Sequence, residues 1–450
     1  MRLFESILLL ILLVIIYQLV FSKRKPEKPM QSVLFALIII MIHVMVEGNR
    51  WQMIPAYMSF GFIYLRIKIG VLKFTQRFHK LIWGVWIVFV LVLPYLVPVI
   101  ELPKPTGPYL IGTEIFHWKD SSRSEWFTPE IDDDRRELMV QVWYPASSVK
   151  GEPIPYLDNL KIRQEAIAAA GDLPSFLVGH IDLTKTHSYE DAPILNGYHP
   201  MLILSHGITG YRQIHTSLVE HLTSHGYIVV APDHTFDCNL TVFPDGHLSD
   251  YRSDITGHPD SVRIRRQQLN TRVADIRFLI DSMLSHPKFQ SVIDTMKIGV
   301  LGHSYGGATS IQVAFEDSRI NAVLVLDSWM NPIPDHIIET GIDQPFLYIG
   351  RPHWNDSDYP NSPVRLTHFI SSLEGESHHY ILKGSRHLDF CDLPLFTPLS
   401  GFFLETGTIP AAKAVSITNS LVGSFFDHFL KKIDNGFPDD MDIHLELIKK

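Results

Sequence analysis

The stretch from Lys297 to Ser310, KIGVLGHSYGGATS, constrains the fold of this chain more than any other. An apolar run of strand type, Ile298 to Leu301, breaks at Gly302-His303-Ser304-Tyr305-Gly306-Gly307. Small and apolar residues then resume at helical spacing through Ala308, Ile311 and Ala314. The pattern predicts strand, tight turn and helix in succession. In a G-x-S-x-G turn the serine sits in a strained backbone conformation, and strand and helix pass too close for flanking side chains, hence the glycines. Ser304 is then lifted to the top of a sheet as a candidate nucleophile. The Tyr305 N–H, at the mouth of the new helix, faces the point where an attacked carbonyl becomes an oxyanion, and the helix dipole favours that charge. The alternative, a glycine-rich turn with an incidental serine, fits poorly with a strand before it and a helix after it.

Composition divides the 450 residues near residue 100. Residues 1–100 read as a membrane-spanning block and 101–450 as a soluble domain. Ser6 to Phe21, Ser32 to Val46 and Leu81 to Ile100 are apolar runs nearly free of charge, and Trp51 to Leu65 is a more mixed one with Gln52 and Pro55. A span takes about 20 apolar residues, so the block holds three or four spans; four is the reading adopted. A cleaved leader fits the first run poorly, since only Arg2 precedes it and no small-residue cleavage site follows. Lys23, Arg24, Lys25 and Lys28 follow the first run, and Arg66, Lys68, Lys73, Arg77 and Lys80 precede the last, whereas Arg50 alone marks the link between the second and third. The positive-inside rule puts the two basic links in the cytoplasm. With four spans the soluble domain is then extracytoplasmic, anchored to the cell membrane. Cys238 and Cys391 are either paired or simply buried. A net charge of −9 leaves no nucleic-acid footprint.

Residues 101–110 read as a proline-rich linker. Leu138 to Tyr144 is a strand, and Ile115 to Trp118 its hairpin partner, with Asp132 to Asp134 in the turn. His199 to Ser205, Gly226 to Ala231, Ala322 to Leu326, Pro345 to Ile349 and Tyr380 to Leu382 are further strands. Ile214 to Ser224 and Ser261 to Met283 are helices. Strands alternating with helices predict an α/β fold, a mostly parallel sheet covered on both faces. On such a sheet functional groups gather at the carboxyl ends of the strands.

Asp327 closes the first apolar strand after the Ser304 helix, where it can orient a histidine. Its rivals, Asp356 and Asp358, follow the next strand; a helix-capping role is the bland reading. His387 follows the last apolar strand by a short Gly-Ser loop, as a general base should. His378 and His379 precede that strand; a metal reading of the pair lacks any other ligand cluster. The order Ser304, Asp327, His387 is the α/β-hydrolase order. Ser205-His206-Gly207-Ile208 ends an early strand and offers the Ile208 N–H as a second oxyanion donor, unless it is only a turn.

LILSHGITGYR, SHGYIVVAPDH, GHSYGGATS, LDSWMNP and GSRHLDF resemble the corresponding segments of the plasma-type platelet-activating-factor acetylhydrolases, also called lipoprotein-associated phospholipases. The resemblance covers roughly residues 105 to 432, including TGPY at Thr106 to Tyr109. It implies an α/β-hydrolase fold and a calcium-independent serine esterase that removes short or oxidised acyl chains from the glycerol sn-2 position. It also implies Ser304, Asp327 and His387 as the triad and Ile208 and Tyr305 as oxyanion donors, with no metal or cofactor. The membrane block is no part of that pattern. The expected partners are therefore a lipid or small ester and the membrane. A general carboxylesterase, a dienelactone-hydrolase-like enzyme and a non-catalytic receptor with a hydrolase-shaped domain are the other readings.

Overall fold

A computed structural model describes residues 2–23, 27–69, 76–352, 361–438 and 442–449. Asp356 and Asp358, and the basic residues Arg24, Lys25 and Lys73, lie outside the described residues.

Four helices make up the N-terminal part: α1 (Leu3–Ile16, continued by a π turn to Phe21), α2 (Pro29–Glu47), α3 (Ile54–Ile69, after a 3-10 turn Trp51–Met53) and α4 (Gln76–Leu96). Their inner faces share one apolar cluster around Leu8, Leu12, Ala36, Ala56 and Ile63. Leu10, Leu34, Val85 and Val88 point outward and exposed, the reverse of a water-facing helix. Leu3–Phe21, Pro29–Glu47 and Gln76–Leu96 are long and apolar enough to cross a membrane; α3 has 16 residues. At one end of the bundle Glu5 pairs with Arg50 at 2.7 Å, and Arg50 donates to Pro94 O. At the other, Arg66 in the last turn of α3 donates to Leu19 O at 3.0 Å. Each helix thus runs between the same two ends.

The remainder follows as β1 (Leu110–Ser124), β2 (Arg135–Ala146), α5 (Leu160–Ala169), β3 (Ser188–Glu190), β4 (His199–Ser205), α6 (Thr216–Ser224), β5 (Ile228–Asp233), β6 (Leu240–Val242), β7 (Leu248–Asp250), α7 (Ser261–Ser285), β8 (Ile293–His303), α8 (Tyr305–Glu316), β9 (Ile320–Leu326), α9 (Asp335–Thr340), β10 (Phe346–Gly350), α10 (Ser362–Ser371), β11 (Ser377–Leu382), α11 (Ser400–Phe403), α12 (Ala411–Phe429) and β12 (Leu445–Lys449). The sheet runs β12-β11-β10-β9-β8-β4-β5-β2-β1-β3. Strands β5, β4, β8, β9, β10 and β11 are parallel neighbours, and β2 and β12 join them antiparallel. The expected β1–β2 hairpin is present, antiparallel in register.

Side chains alternate across the central strands. Val300, Val323 and Val325 face α7, α8, α9 and α10, whereas Leu301, Leu324 and Leu326 face α6 and α12. A parallel strand buried on both faces needs apolar residues at both parities, which is why these strands read as unbroken apolar runs.

Residues 101–110, expected as a linker, are partly packed: Ile100 and Leu102 join a cluster with Tyr156, Leu160, Tyr211 and Cys391. Beside it, Trp51 Nε1–H donates to Leu177 O at 3.1 Å and the Thr397 hydroxyl to Leu96 O at 2.6 Å. The helical block is therefore docked on the α/β part rather than tethered to it.

Candidate active site

Ser304 stands between β8 and α8 with φ 57° and ψ −118°, a region a serine enters only when its surroundings impose it. Close approach imposes it here. A Cβ on Gly302 would lie 2.1 Å from Gly306 O, and one on Gly306 1.9 Å from Ser205 O. The Ser304 N–H donates to Leu326 O at 2.9 Å and its carbonyl accepts from Trp329 N–H at 3.0 Å. The turn is thereby clamped to the backbone on either side of Asp327.

Asp327, itself at φ 45°, is fully buried at the carboxyl end of β9. Its Oδ2 lies 2.6 Å from His387 Nδ1. A carboxylate only accepts, so Nδ1 carries the proton and Nε2 is the basic nitrogen of the ring. Oδ1 accepts from Arg351 N–H at 3.1 Å, and Arg351 Nε lies 3.2 Å from Oδ2 as an ion pair; Arg351 is also paired with Glu405. These contacts orient the buried carboxylate and occupy its acceptor sites, which an apolar pocket would not.

His387 opens the loop after β11 with a partly exposed side chain. His303 Nε2–H donates to its carbonyl at 3.0 Å, with the rings 4.7 Å apart. Burial, followed by the nearness of His387, pushes His303 well below the ordinary histidine range, and burial pushes His215 down to about 4. His215 lies 5.3 Å from the His303 ring, and both of these rings are neutral near pH 7. Ser304 Oγ carries no hydrogen bond to a described residue; such contacts often close only around substrate.

The loop after β4 reaches the same place. A Cβ on Gly207 would lie 3.2 Å from Ser304 Cβ. Tyr305 opens α8, so its N–H has no acceptor one turn earlier. The five sequence-predicted positions, Ser304, Asp327, His387, Ile208 and Tyr305, thus meet at one sheet edge. His378 and His379, expected before the last apolar strand, instead lie inside β11. His378 is buried against Glu376 and His379 packs edge-on to Tyr348. Cys238 and Cys391 are both buried and free. Sequence reasoning missed Arg351 and His303, although Arg351 directly follows β10 and the strand-end rule that found Asp327 reaches it. Among the described residues no group of three or more His, Cys, Asp or Glu could hold a metal.

A serine on a strand-to-helix turn, with a histidine–carboxylate pair and two peptide N–H groups at the carboxyl edge of a mostly parallel sheet, defines an α/β-hydrolase of the serine esterase class. The model of the family described as platelet-activating factor acetylhydrolase, isoform II, matches residues 97–277 and 263–443, and the chain belongs to that family. Platelet-activating factor acetylhydrolase from Cavia porcellus is 24% identical over 360 residues, covering 73% of this chain and 78% of that one. A probable 1-alkyl-2-acetylglycerophosphocholine esterase from Arthroderma benhamiae is 23% identical, covering 74% and 89%. A ferulic acid esterase structure from Streptomyces cinnamoneus superposes with a TM-score of 0.67 at 26% identity, covering 78% of this chain and 100% of that one. The protein is a serine ester hydrolase of the acetylhydrolase type.

Proposed function

We propose that the protein cleaves short or oxidised acyl chains from the sn-2 position of phospholipids by two-step acyl transfer. Ser304 Oγ attacks the ester carbonyl while His387 Nε2 takes its proton and Asp327 holds the imidazolium. The N–H groups of Ile208 and Tyr305 receive the oxyanion. Collapse expels the lysophospholipid alkoxide, which takes the proton from His387. Water, deprotonated by His387, then hydrolyses the acyl-enzyme and regenerates Ser304. The 2.6 Å contact between His387 and Asp327 carries this reading, because it fixes the proton on Nδ1 and makes Nε2 the basic nitrogen of the ring. The substrate class is supported by the family's description and by its named relatives. The likeness to a ferulic acid esterase favours one rival, a carboxylesterase acting on other esters.

The helical block is proposed as a membrane anchor with the α/β part outside the cell. Arg66, which donates to Leu19 O, lies at the end of the bundle opposite the Leu96 contact with Thr397, and the positive-inside rule assigns the end with the basic residues to the cytoplasm.

Full-length protein in detergent micelles, offered phospholipids with an sn-2 acetyl or palmitoyl chain in the presence of EDTA, tests the reaction. Acetyl release that is EDTA-resistant and absent in Ser304→Ala is the expected result. Cleavage of an aryl acetate but of neither phospholipid would transfer the site to the carboxylesterase reading.

A further inference from the structure

A trans peptide is planar, so its N–H points opposite to the carbonyl of the residue before it. Whatever grips Gly207 O therefore aims the Ile208 N–H. Three donors grip it: Gly210 N–H at 3.1 Å, Arg272 Nη2 at 3.3 Å and His206 Nδ1 at 2.6 Å. The last is the shortest. The ring's tautomer follows from its partners. Gly207 O can only accept, so Nδ1 carries a proton; the His234 N–H, 3.2 Å from Nε2, can only donate, so Nε2 is bare. His206 is fully buried. Burial, reinforced by Arg272 nearby, keeps the ring neutral, which preserves this one-donor, one-acceptor arrangement. Space is equally tight, since a Cβ on Gly210 would lie 3.0 Å from both Gly207 O and His206 Nδ1.

The other peptide is held in the same way, Ser304 O accepting from Gly307 N–H and Trp329 N–H at 3.0 Å each. There the donors are both backbone, one in the first turn of α8 and one just after β9. On the Ile208 side two of the three are side chains. Arg272 is ion-paired with Asp237 and stacks 4.7 Å over the Tyr305 ring, so removing it would orphan a buried charge. His206 carries no such burden.

We propose that His206 is a positioning residue for catalysis: its Nδ1–H on Gly207 O stops the Gly207–Ile208 peptide from rotating and holds the Ile208 N–H on the developing oxyanion. This rests on the reading of Ile208 as an oxyanion donor. The residue touches no substrate; it acts through a peptide plane.

The test compares wild-type, His206→Leu, His206→Asn and His206→Gln full-length protein in micelles, with an aryl acetate as substrate and a trifluoromethyl ketone, whose hemiketal oxygen occupies the oxyanion position, as inhibitor. Losing a whole oxyanion donor costs about 10²–10³ in rate, so loosening one should cost about 30-fold. His206→Leu should lose that factor in kcat with KM unchanged, and the ketone should weaken in step. His206→Asn, whose amide nitrogen falls where Nδ1 was, should recover most of both; His206→Gln, whose amide falls nearer Nε2, should not. Wild-type kcat in folded His206→Leu, or a kcat loss with unchanged ketone affinity, overturns the proposal. If His206→Leu does not fold, equal activity of the Asn and Gln variants overturns it. Turnover by Ser304→Ala would instead overturn the reading of the site itself.

Discussion

Among the described residues two Ser-His-Asp sets stand out, and they differ in burial: the one proposed as catalytic is partly exposed at its serine and histidine, and the other is wholly buried. In the first, His387 touches Asp327 at 2.6 Å, and Ser304 is half-buried on a strained turn. In the second, Ser205 Oγ lies 2.9 Å from His234 Nε2 and His234 Nδ1 lies 2.9 Å from Asp275 Oδ2, with all three side chains buried. By hydrogen bonds alone the buried array is the more complete. What it lacks is access, an oxyanion pocket and strain at the serine: Ser205 sits in regular strand, paired with Gly302. Charge separates them too. Asp275 is gripped by Arg136 at 2.7 Å and by Arg123 at 2.9 Å. Burial alone would push its carboxyl up, but these guanidiniums and His234 hold it well below the carboxylate range. Burial also pushes His234 down to about 4, so it is a neutral strut. Three residue types in hydrogen-bond order are thus no sign of catalysis; a partly exposed histidine and a strained serine are the better guide.

The sharpest way to break this comparison is at the serines. Ser304→Ala should lower kcat by about 10⁵-fold or more with the melting temperature unchanged. Ser205→Ala should leave kcat within about threefold and cost about 1 kcal/mol of stability, one buried hydrogen bond. Activity that fell in both would erase the distinction between the arrays. The carboxylates repeat the contrast. Asp327→Asn should cost about 10⁴ in kcat, because the amide favours the wrong histidine tautomer. Asp275→Asn leaves Arg136 facing only Glu125, at 2.9 Å, and should cost about 3 kcal/mol, the penalty for an uncompensated buried charge. Thermal melting and steady-state kinetics on both variants check that the losses fall on opposite readouts.

The exposed site was far more legible in the sequence than the buried array. The glycines around Ser304, the apolar strand ending at Asp327 and the loop carrying His387 are local patterns tied to strand ends, and one topological rule links them. Asp275 lies mid-helix in α7, His234 just after β5 and Arg136 near the start of β2; nothing local marks them, since their contact is made only when helix and sheet pack. α12 escaped notice for a related reason. Its apolar residues, Ala414 to Phe429, are interleaved with Asn419, Asp427 and His428 and acquire meaning only against the far face of the sheet. The docking of the helical block through Trp51 and Thr397 had no sequence signal at all, because a hydrogen bond to Leu177 O or Leu96 O depends on backbone placement.

A smaller effect tests how the exposed site is moored. The loop that begins at His387 ends at Asp392, whose N–H donates to Ile214 O at 2.9 Å. Its carboxyl receives the Ser217 hydroxyl and, at 3.2 Å, the Ser217 N–H and Tyr156 O–H. Among the described residues no cation pairs with it as Arg136 pairs with Asp275, and burial pushes it up to about 7 from the ordinary 3.8. The folded chain therefore holds this proton more tightly than the unfolded chain does. Stability is greatest below pH 3.8 as far as this group is concerned, falls as pH rises from there toward 7, and is flat above. Asp392→Asn cannot titrate, so its melting temperature relative to wild type should climb by about 3 °C between pH 4 and pH 8, even though the amide meets the same donors less well. A parallel pair of melting curves across that range would show the mooring carboxyl to be ionised instead.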